Sequence, residues 1–150
     1  MWRQVLIGLL GYAAANEYPR MDEEADWYGF TYTAHDVTTD DGYILTAFRL
    51  TGDEDGPYNL SKPPVVIVHG MSMDGPSWLD ANFYNPSDVL PFQLMLAEAG
   101  YDVYIANNRG TEYSRGHTTL DAAEDAEYWD FSWAEMGLYD DKALISLAVS

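Results

Sequence analysis

The sequence predicts an α/β fold in which an antiparallel hairpin leads into a parallel sheet. Three features carry that expectation. Asp40-Asp41-Gly42 separates two β-prone runs, residues 31–39 and 43–50, and Asp-Gly between such runs is a strong hairpin signal. Val65-Val66-Ile67-Val68 is short, wholly apolar and free of alternation, the pattern of a strand buried on both faces of a parallel sheet. A helix over residues 91–99 and a strand over 101–106 complete a βαβ unit, whose crossover is right-handed.

Taken in order, residues 16–30 are polar and acidic and are expected to lie over the surface. After the hairpin, residues 51–64 form a loop by composition, rich in Pro, Gly and acidic side chains. Pro91 suits the first position of the helix. Phe92, Met95, Leu96 and Ala99 then share its expected buried face, and Gly100 ends it in a left-handed conformation. Beyond Arg109-Gly110 the chain is dense in Asp, Glu, Trp and Tyr without clear periodicity. Trp129 and Trp133, four apart, are expected to pack together. Ser132-x-x-Glu135 fits a capping box, and Asp140 is expected to cap a following helix whose Ala143, Leu144, Leu147 and Ala148 share a face. There is no internal repeat, and residues 16–150 read as one domain.

Residues 1–15 read as a secretory signal peptide. Arg3 precedes the short apolar run Val5-Leu6-Ile7-Gly8-Leu9-Leu10, and Ala13-Ala14-Ala15 supplies small residues for a cut after Ala15. A secreted or lysosomal product follows. No segment is long and apolar enough to span a bilayer. Asn59-Leu60-Ser61 is a glycosylation sequon in the expected loop.

The 150 residues carry 25 Asp and Glu against 7 Lys and Arg, a net charge of −18. Removing residues 1–15 takes away Arg3 alone and leaves −19. So acidic a surface repels nucleic acid phosphates and anionic headgroups, which excludes nucleic acid as a partner. The charge serves solubility; it also suits an acidic lumen, where carboxylates begin to protonate and self-repulsion falls. The chain has no cysteine, so it holds neither a disulfide nor a thiolate metal site. His35, His69 and His117 lack the partner spacing of a metal centre, and no cofactor is expected. A glycine-rich phosphate loop, which a nucleotide-binding domain would need, is missing.

Chemistry concentrates directly after the buried strand, at His69-Gly70-Met71-Ser72-Met73-Asp74-Gly75. A glycine there lets the backbone turn and present the next N–H. Further segments follow in a fixed order: Ala99-Gly100-Tyr101-Asp102-Val103, Asn107-Asn108-Arg109-Gly110, Tyr113-Ser114-Arg115-Gly116-His117, and Trp129-Asp130-Phe131-Ser132-Trp133-Ala134-Glu135-Met136. With Thr39-Asp40-Asp41-Gly42-Tyr43-Ile44-Leu45 upstream and Tyr139-Asp140 downstream, this series resembles the acid lipase family of α/β-hydrolases. That family includes the gastric and lysosomal lipases and the steryl ester hydrolases.

The resemblance implies a serine ester hydrolase acting on triacylglycerols or steryl esters. A serine attacks the carbonyl, a histidine takes its proton and an aspartate orients the histidine. It places the oxyanion loop at His69, Gly70 and Met71, with the Met71 N–H as one donor to the developing oxyanion. It places the Gly-x-Ser-x-Gly elbow beyond Ser150, and the aspartate and histidine later still. These 150 residues would then hold the amino-terminal part of the fold with no catalytic nucleophile. Ser72 is not that nucleophile, because Asp74 stands where an elbow needs glycine. The alternative is a non-catalytic fragment, or a lipid- or partner-binding module, with an exposed sheet edge after residues 101–106 that invites aggregation. The sequence departs from the family pattern at Ala106, Thr111, Ala134 and Asp141-Lys142. The last pair replaces Leu-Pro and weakens the start of the final helix. Asn107, Asn108 and Arg109 are expected to hold loops, and His117 to form structural hydrogen bonds.

Overall fold

A computed structural model of the chain describes residues 18–80 and 90–150; the signal peptide expected over residues 1–15 lies outside them. The expected α/β architecture is present. Strands β1 (Phe30–Thr38) and β2 (Tyr43–Asp53) form the antiparallel hairpin around Asp40-Asp41-Gly42. The short β3 (Gly56–Pro57) folds back on β2. Strand β4 (Pro64–Ile67) leads through the His69-Gly70-Met71 loop to a 3-10 turn (Gly75–Trp78), then to α2 (Phe92–Glu98) and β5 (Asp102–Ala106). β4 and β5 pair in parallel, and β6 (Gly116–His117) adds a short ladder to β2. The sheet order is β1-β2-β5-β4.

That order corrects one expectation. β5 is not at an edge: it is hydrogen-bonded to β2 on one side and β4 on the other. Among the described residues the open edge beyond the parallel pair is that of β4. Its four residues are accordingly exposed or half-buried rather than enclosed on both faces. Beside it Pro64, Val66, Val68, Ile145, Ala148 and Val149 line an apolar groove of about 320 Å³.

The first segment also differs. Residues 16–30 are not simply a surface strand of chain, because α1 spans Pro19–Tyr28. Pro19 opens it with a preset φ, and Gly29 closes it in the left-handed region at φ 72°. Met21 is its one fully buried side chain.

Two apolar clusters cover the two sheet faces, as strand alternation dictates. Val103 and Ile105 of β5 join Phe48, Leu50, Met21, Leu79, Leu94 and Ala97. Tyr104 and Ala106 point the other way, to Leu45, Ala47, Tyr43, Tyr128, Leu144 and Ala148. Helix α2 contributes through Leu94 and Ala97, while Phe92 and Met95 are exposed. Of the expected face only Leu96 packs against the core. Leu94 and Ala97, three apart on the helix, are the buried pair that meets it, with Leu90 packing from just before the helix. Gly100 does end the helix as expected, with φ 95°. Its N–H reaches Ala97 O and that of Tyr101 reaches Leu96 O, the two bonds of a Schellman motif.

Ser132 forms the expected capping box with Glu135 and opens α3 (Trp133–Glu135). The chain then passes through a π turn (Met136–Asp140) into α4 (Asp141–Ala148) without leaving helical conformation. Asp140 therefore does not cap α4. Its backbone is helical, and its side chain turns inward to Arg109. Asp141 and Lys142 lie inside a continuous helical run, so the loss of Leu-Pro does not leave α4 without a start. Leu144 and Ala148 are buried on the expected face. Trp129 packs on Tyr128 and Phe131, not on Trp133, because extended residues separate the two tryptophans and helical spacing does not apply.

Candidate oxyanion loop and its buttress

The site lies beyond the carboxyl ends of β4 and β5, the usual place for chemistry in a parallel sheet. Two loops meet there, one after each strand. Residues 69–74 follow β4, and residues 107–110 follow β5.

The second loop is fixed first. Asn107 is fully buried, and its side chain continues the sheet where the backbone ladder stops. Its Nδ2 donates to Thr46 O at 2.9 Å, and its Oδ1 accepts the Gly75 N–H at 2.8 Å. Ser114 closes the same gap: its hydroxyl donates to Asn107 O and accepts the Thr46 N–H. Gly75 is required by this closeness. A Cβ there would stand 2.8 Å from Ile105 Cγ2 and 3.0 Å from Asn107 Oδ1.

Arg109 is the most heavily bonded side chain of the region, with 2% of the residue exposed. Its guanidinium bonds Asp140 Oδ1 and both oxygens of Asp41, and its backbone N–H bonds Asp140 Oδ2. It also lies 3.8 Å over the Tyr43 ring. Burial works against the guanidinium charge, but the bonds to Asp41 and Asp140 outweigh it and raise the Arg109 pKa. For Asp41, burial works upward, and the bonds from Arg109 and Thr39 outweigh it and hold the carboxyl below its ordinary range. Asp140 is buried deeply enough that desolvation outweighs those same bonds and raises it. This network ties the hairpin turn, the loop after β5 and the π turn together.

The first loop hangs on that frame. Trp78 Nε1 donates to Val68 O at 3.2 Å, just before His69. The Asn108 N–H donates to His69 Nε2 at 3.1 Å, and His69 Nδ1 lies 2.9 Å from Gly70 O. At the far end Asp74 forms a capping box with Ser77 and a two-oxygen ion pair with Arg20 of α1. Between these anchors Gly70-Met71-Ser72-Met73 makes a turn closed by Met73 N–H on Gly70 O at 3.3 Å. Ser72 stands in the left-handed region at φ 60°. Met71 is 75% exposed. Its N–H has no acceptor among the described residues.

Between the loops opens a groove of about 840 Å³ whose wall includes Val68, Met71, Asn108, Phe131, Trp133 and Met136. The structure thus brings His69, Gly70 and Met71 together at its mouth. His117 lies apart, accepting the Thr119 and Leu120 N–H groups on Nδ1 and edging the Tyr43 ring, as a structural residue does. Asn59 is exposed in the loop after β3, also away from the groove. Among the described residues no three His, Asp or Glu side chains gather as a metal site, and no helix is long and apolar enough to cross a membrane. Arg20, Asp74 and Trp78 hold the loop yet carry no recognisable signal in sequence, because their partners are distant along the chain.

Residues 22–81 match the family model of the partial alpha/beta-hydrolase lipase region. The chain is 34% identical over 145 residues to gastric triacylglycerol lipase of Rattus norvegicus, covering 96% of this chain and 35% of that one. It is 36% identical over 131 residues to human lysosomal acid lipase/cholesteryl ester hydrolase, covering 87% and 31%. It is 41% identical over 111 residues to triacylglycerol lipase 1 of Arabidopsis thaliana, covering 74% and 26%. The chain belongs to the acid lipase family. It carries the partial lipase region of an α/β-hydrolase and spans about a quarter to a third of the length of these relatives. The matched lipase region contains β1, β2, β4 and the loop at His69-Gly70-Met71.

Proposed function

We propose that this chain supplies the oxyanion-side half of a serine ester hydrolase acting on lipid esters, triacylglycerols or steryl esters. The observation that carries the proposal is the Met71 N–H, unpaired at the mouth of an apolar groove in a loop anchored at both ends. A fixed donor of this kind stabilises the oxygen that turns negative when an ester carbonyl becomes tetrahedral. The attacking serine, its histidine and its aspartate belong to the rest of the family's fold. The names of the gastric and lysosomal relatives support ester substrates and a secreted or lysosomal product, reached through the signal peptide of residues 1–15 and with glycan on Asn59. Sequencing the mature amino terminus for a cut after Ala15, and a mobility shift lost in Asn59→Gln, check those two points.

Met71→Pro removes the donor together with the side chain and fixes φ at position 71, so Met71→Ala, which keeps the N–H, is the control and should leave kcat near its starting value. In the natural hydrolytic polypeptide that contains these residues, kcat of the proline variant should fall by about 10²–10³-fold with KM little changed. An unchanged kcat in that variant would sink the proposal. A second reading rests on the missing Gly-x-Ser-x-Gly in residues 1–150: expressed by themselves, these residues bind lipid or a partner without turnover. Ester hydrolysis by residues 16–150 that survives Ser72→Ala would overturn that reading.

A further inference from the structure

We infer that His69 is the positioning residue for the Met71 N–H, and that it works as a neutral imidazole with its proton on Nδ1. The inference rests on the proposed oxyanion role of Met71, and it adds the device that aims the donor. A backbone N–H can only donate, so the Asn108 N–H at 3.1 Å obliges His69 Nε2 to accept. A neutral ring that accepts on Nε2 carries its hydrogen on Nδ1. That nitrogen lies 2.9 Å from Gly70 O, and it donates there. Both ring nitrogens are thus used, and each bond requires the other's tautomer.

The consequence reaches Met71 through the peptide plane. Gly70 C=O and Met71 N–H belong to one planar unit, and the chain has no cis peptide among its described residues. In a trans unit the two groups point in opposite directions. A ring that holds Gly70 O therefore sets the direction of the Met71 N–H. The other bond to Gly70 O, from Met73 N–H, is longer at 3.3 Å and comes from inside the same turn, so it cannot orient that turn against the sheet. His69 can, because its own anchor, the Asn108 N–H, belongs to the bonded loop after β5. Asn108 stands between Asn107, bonded by its side chain to Thr46 and Gly75, and Arg109, bonded to Asp140 and Asp41. With the proton on Nε2 instead, two donors would face each other at Asn108 and Gly70 O would lose its ring contact.

The tautomer is directly measurable in the full chain labelled with ¹⁵N, whose only histidines are His35, His69 and His117. We expect the His69 ring nitrogens to report a single Nδ1-protonated form and the Asn108 amide to show scalar coupling to Nε2 across the hydrogen bond. An Nε2-protonated ring, or two tautomers in exchange, overturns the inference. A pair of variants separates positioning from mere support. An Asn side-chain amide places an N–H donor near where Nδ1 stands, whereas a Gln carbonyl reaches the Nε2 position and offers no donor to Gly70. In the hydrolytic polypeptide, His69→Gln should lower kcat between about 10- and 100-fold at unchanged KM, and His69→Asn should restore most of it. Equal losses in both, matched by equal drops in melting temperature, would reduce His69 to a packing residue. The Met71→Pro result stays independent. If it spares kcat while the Nδ1 tautomer is seen, the oxyanion reading fails and the hydrogen-bond device stands.

Discussion

The loops that follow the two parallel strands are built in opposite ways. Residues 107–109 are buried and heavily bonded: Asn107 replaces two rungs of the sheet, and Arg109 joins three segments. Residues 69–73 are exposed or half-buried, are held mainly at their ends, and include a left-handed serine and an unpaired N–H. The difference shows a division of labour. An exposed donor is useful only if its direction is fixed, and here the fixing is done by a neighbour whose own side chains are bonded across the fold. The dense bonding lies in the loop after β5, and the exposed, unpaired N–H in the loop after β4.

Breaking the buttress should have the largest effect. Arg109→Met leaves Asp140 buried without its cation, and removing one partner of a buried pair costs about 3–5 kcal/mol. Urea unfolding should show that loss. Adding Asp140→Leu should recover a good part of it, since an apolar pair of similar volume is tolerated. A loss under about 1 kcal/mol in the single variant would mean that the network holds little together.

Asn107→Ala comes next. It strips partners from the Gly75 N–H and Thr46 O, both enclosed, at about 2–3 kcal/mol. It should also speed hydrogen exchange at Gly75 and in the 69–74 loop, leaving the Arg109 network protected. Exchange that rises uniformly over the domain would show that the two loops do not divide as described.

The clamp from α1 gives the comparison a pH dependence. Arg20 holds Asp74 and Asp80, and Glu24 stands beside it. Burial first, and then the Asp80 carboxylate, push the Glu24 carboxyl up to about 7 against the pull of Arg20. A group raised on folding binds its proton more tightly in the native chain. Its contribution to stability is therefore present in full below its unfolded value near 4.5 and is lost as pH rises through about 7. Because Glu24 is partly exposed, screening reduces the effect to the order of 1 kcal/mol. Stability should rise by that amount from about pH 8 to about pH 5, and Glu24→Gln should remove the rise. An unaltered slope in the variant would clear Glu24 of the effect. Asp41, held low by Arg109, acts in the opposite sense and withdraws stability only as pH falls through its lowered value.

Much of this was legible in the chain itself. The hairpin, the βαβ unit, the Gly100 cap and the Ser132 box are local patterns, and local patterns survive into the fold. His69, Gly70 and Met71 fall on the loop after β4, where the short apolar run followed by glycine puts them. What escaped was set by distant partners. The sheet order that puts β4 rather than β5 at the edge depends on pairing across the fold. The buried face of α2 depended on which of its apolar side chains met Val103 and Ile105. Asp140 reads as a cap until its partner Arg109, 31 residues away, draws it inward. Helix α1 is the exception: Pro19 and Gly29 signalled both its ends, and the density of charge between them obscured the signal.

The smallest effect tests the other side of the comparison, the loop with little holding it. Ser72 adopts φ 60°, where a side chain costs about 1 kcal/mol or more relative to glycine. Its hydroxyl has no hydrogen-bond partner among the described residues, so nothing offsets that strain locally. Ser72→Gly relieves it but loosens the unfolded chain, which returns part of the gain. The net should be a stabilisation of about 0.5 kcal/mol. Ser72→Val, branched and confined, should instead cost about 1–2 kcal/mol by the same steric term. A paired thermal melt reads both. If glycine destabilises and valine does not, the turn is held by the serine side chain itself, and the loop after β4 is less independent than its exposure indicates.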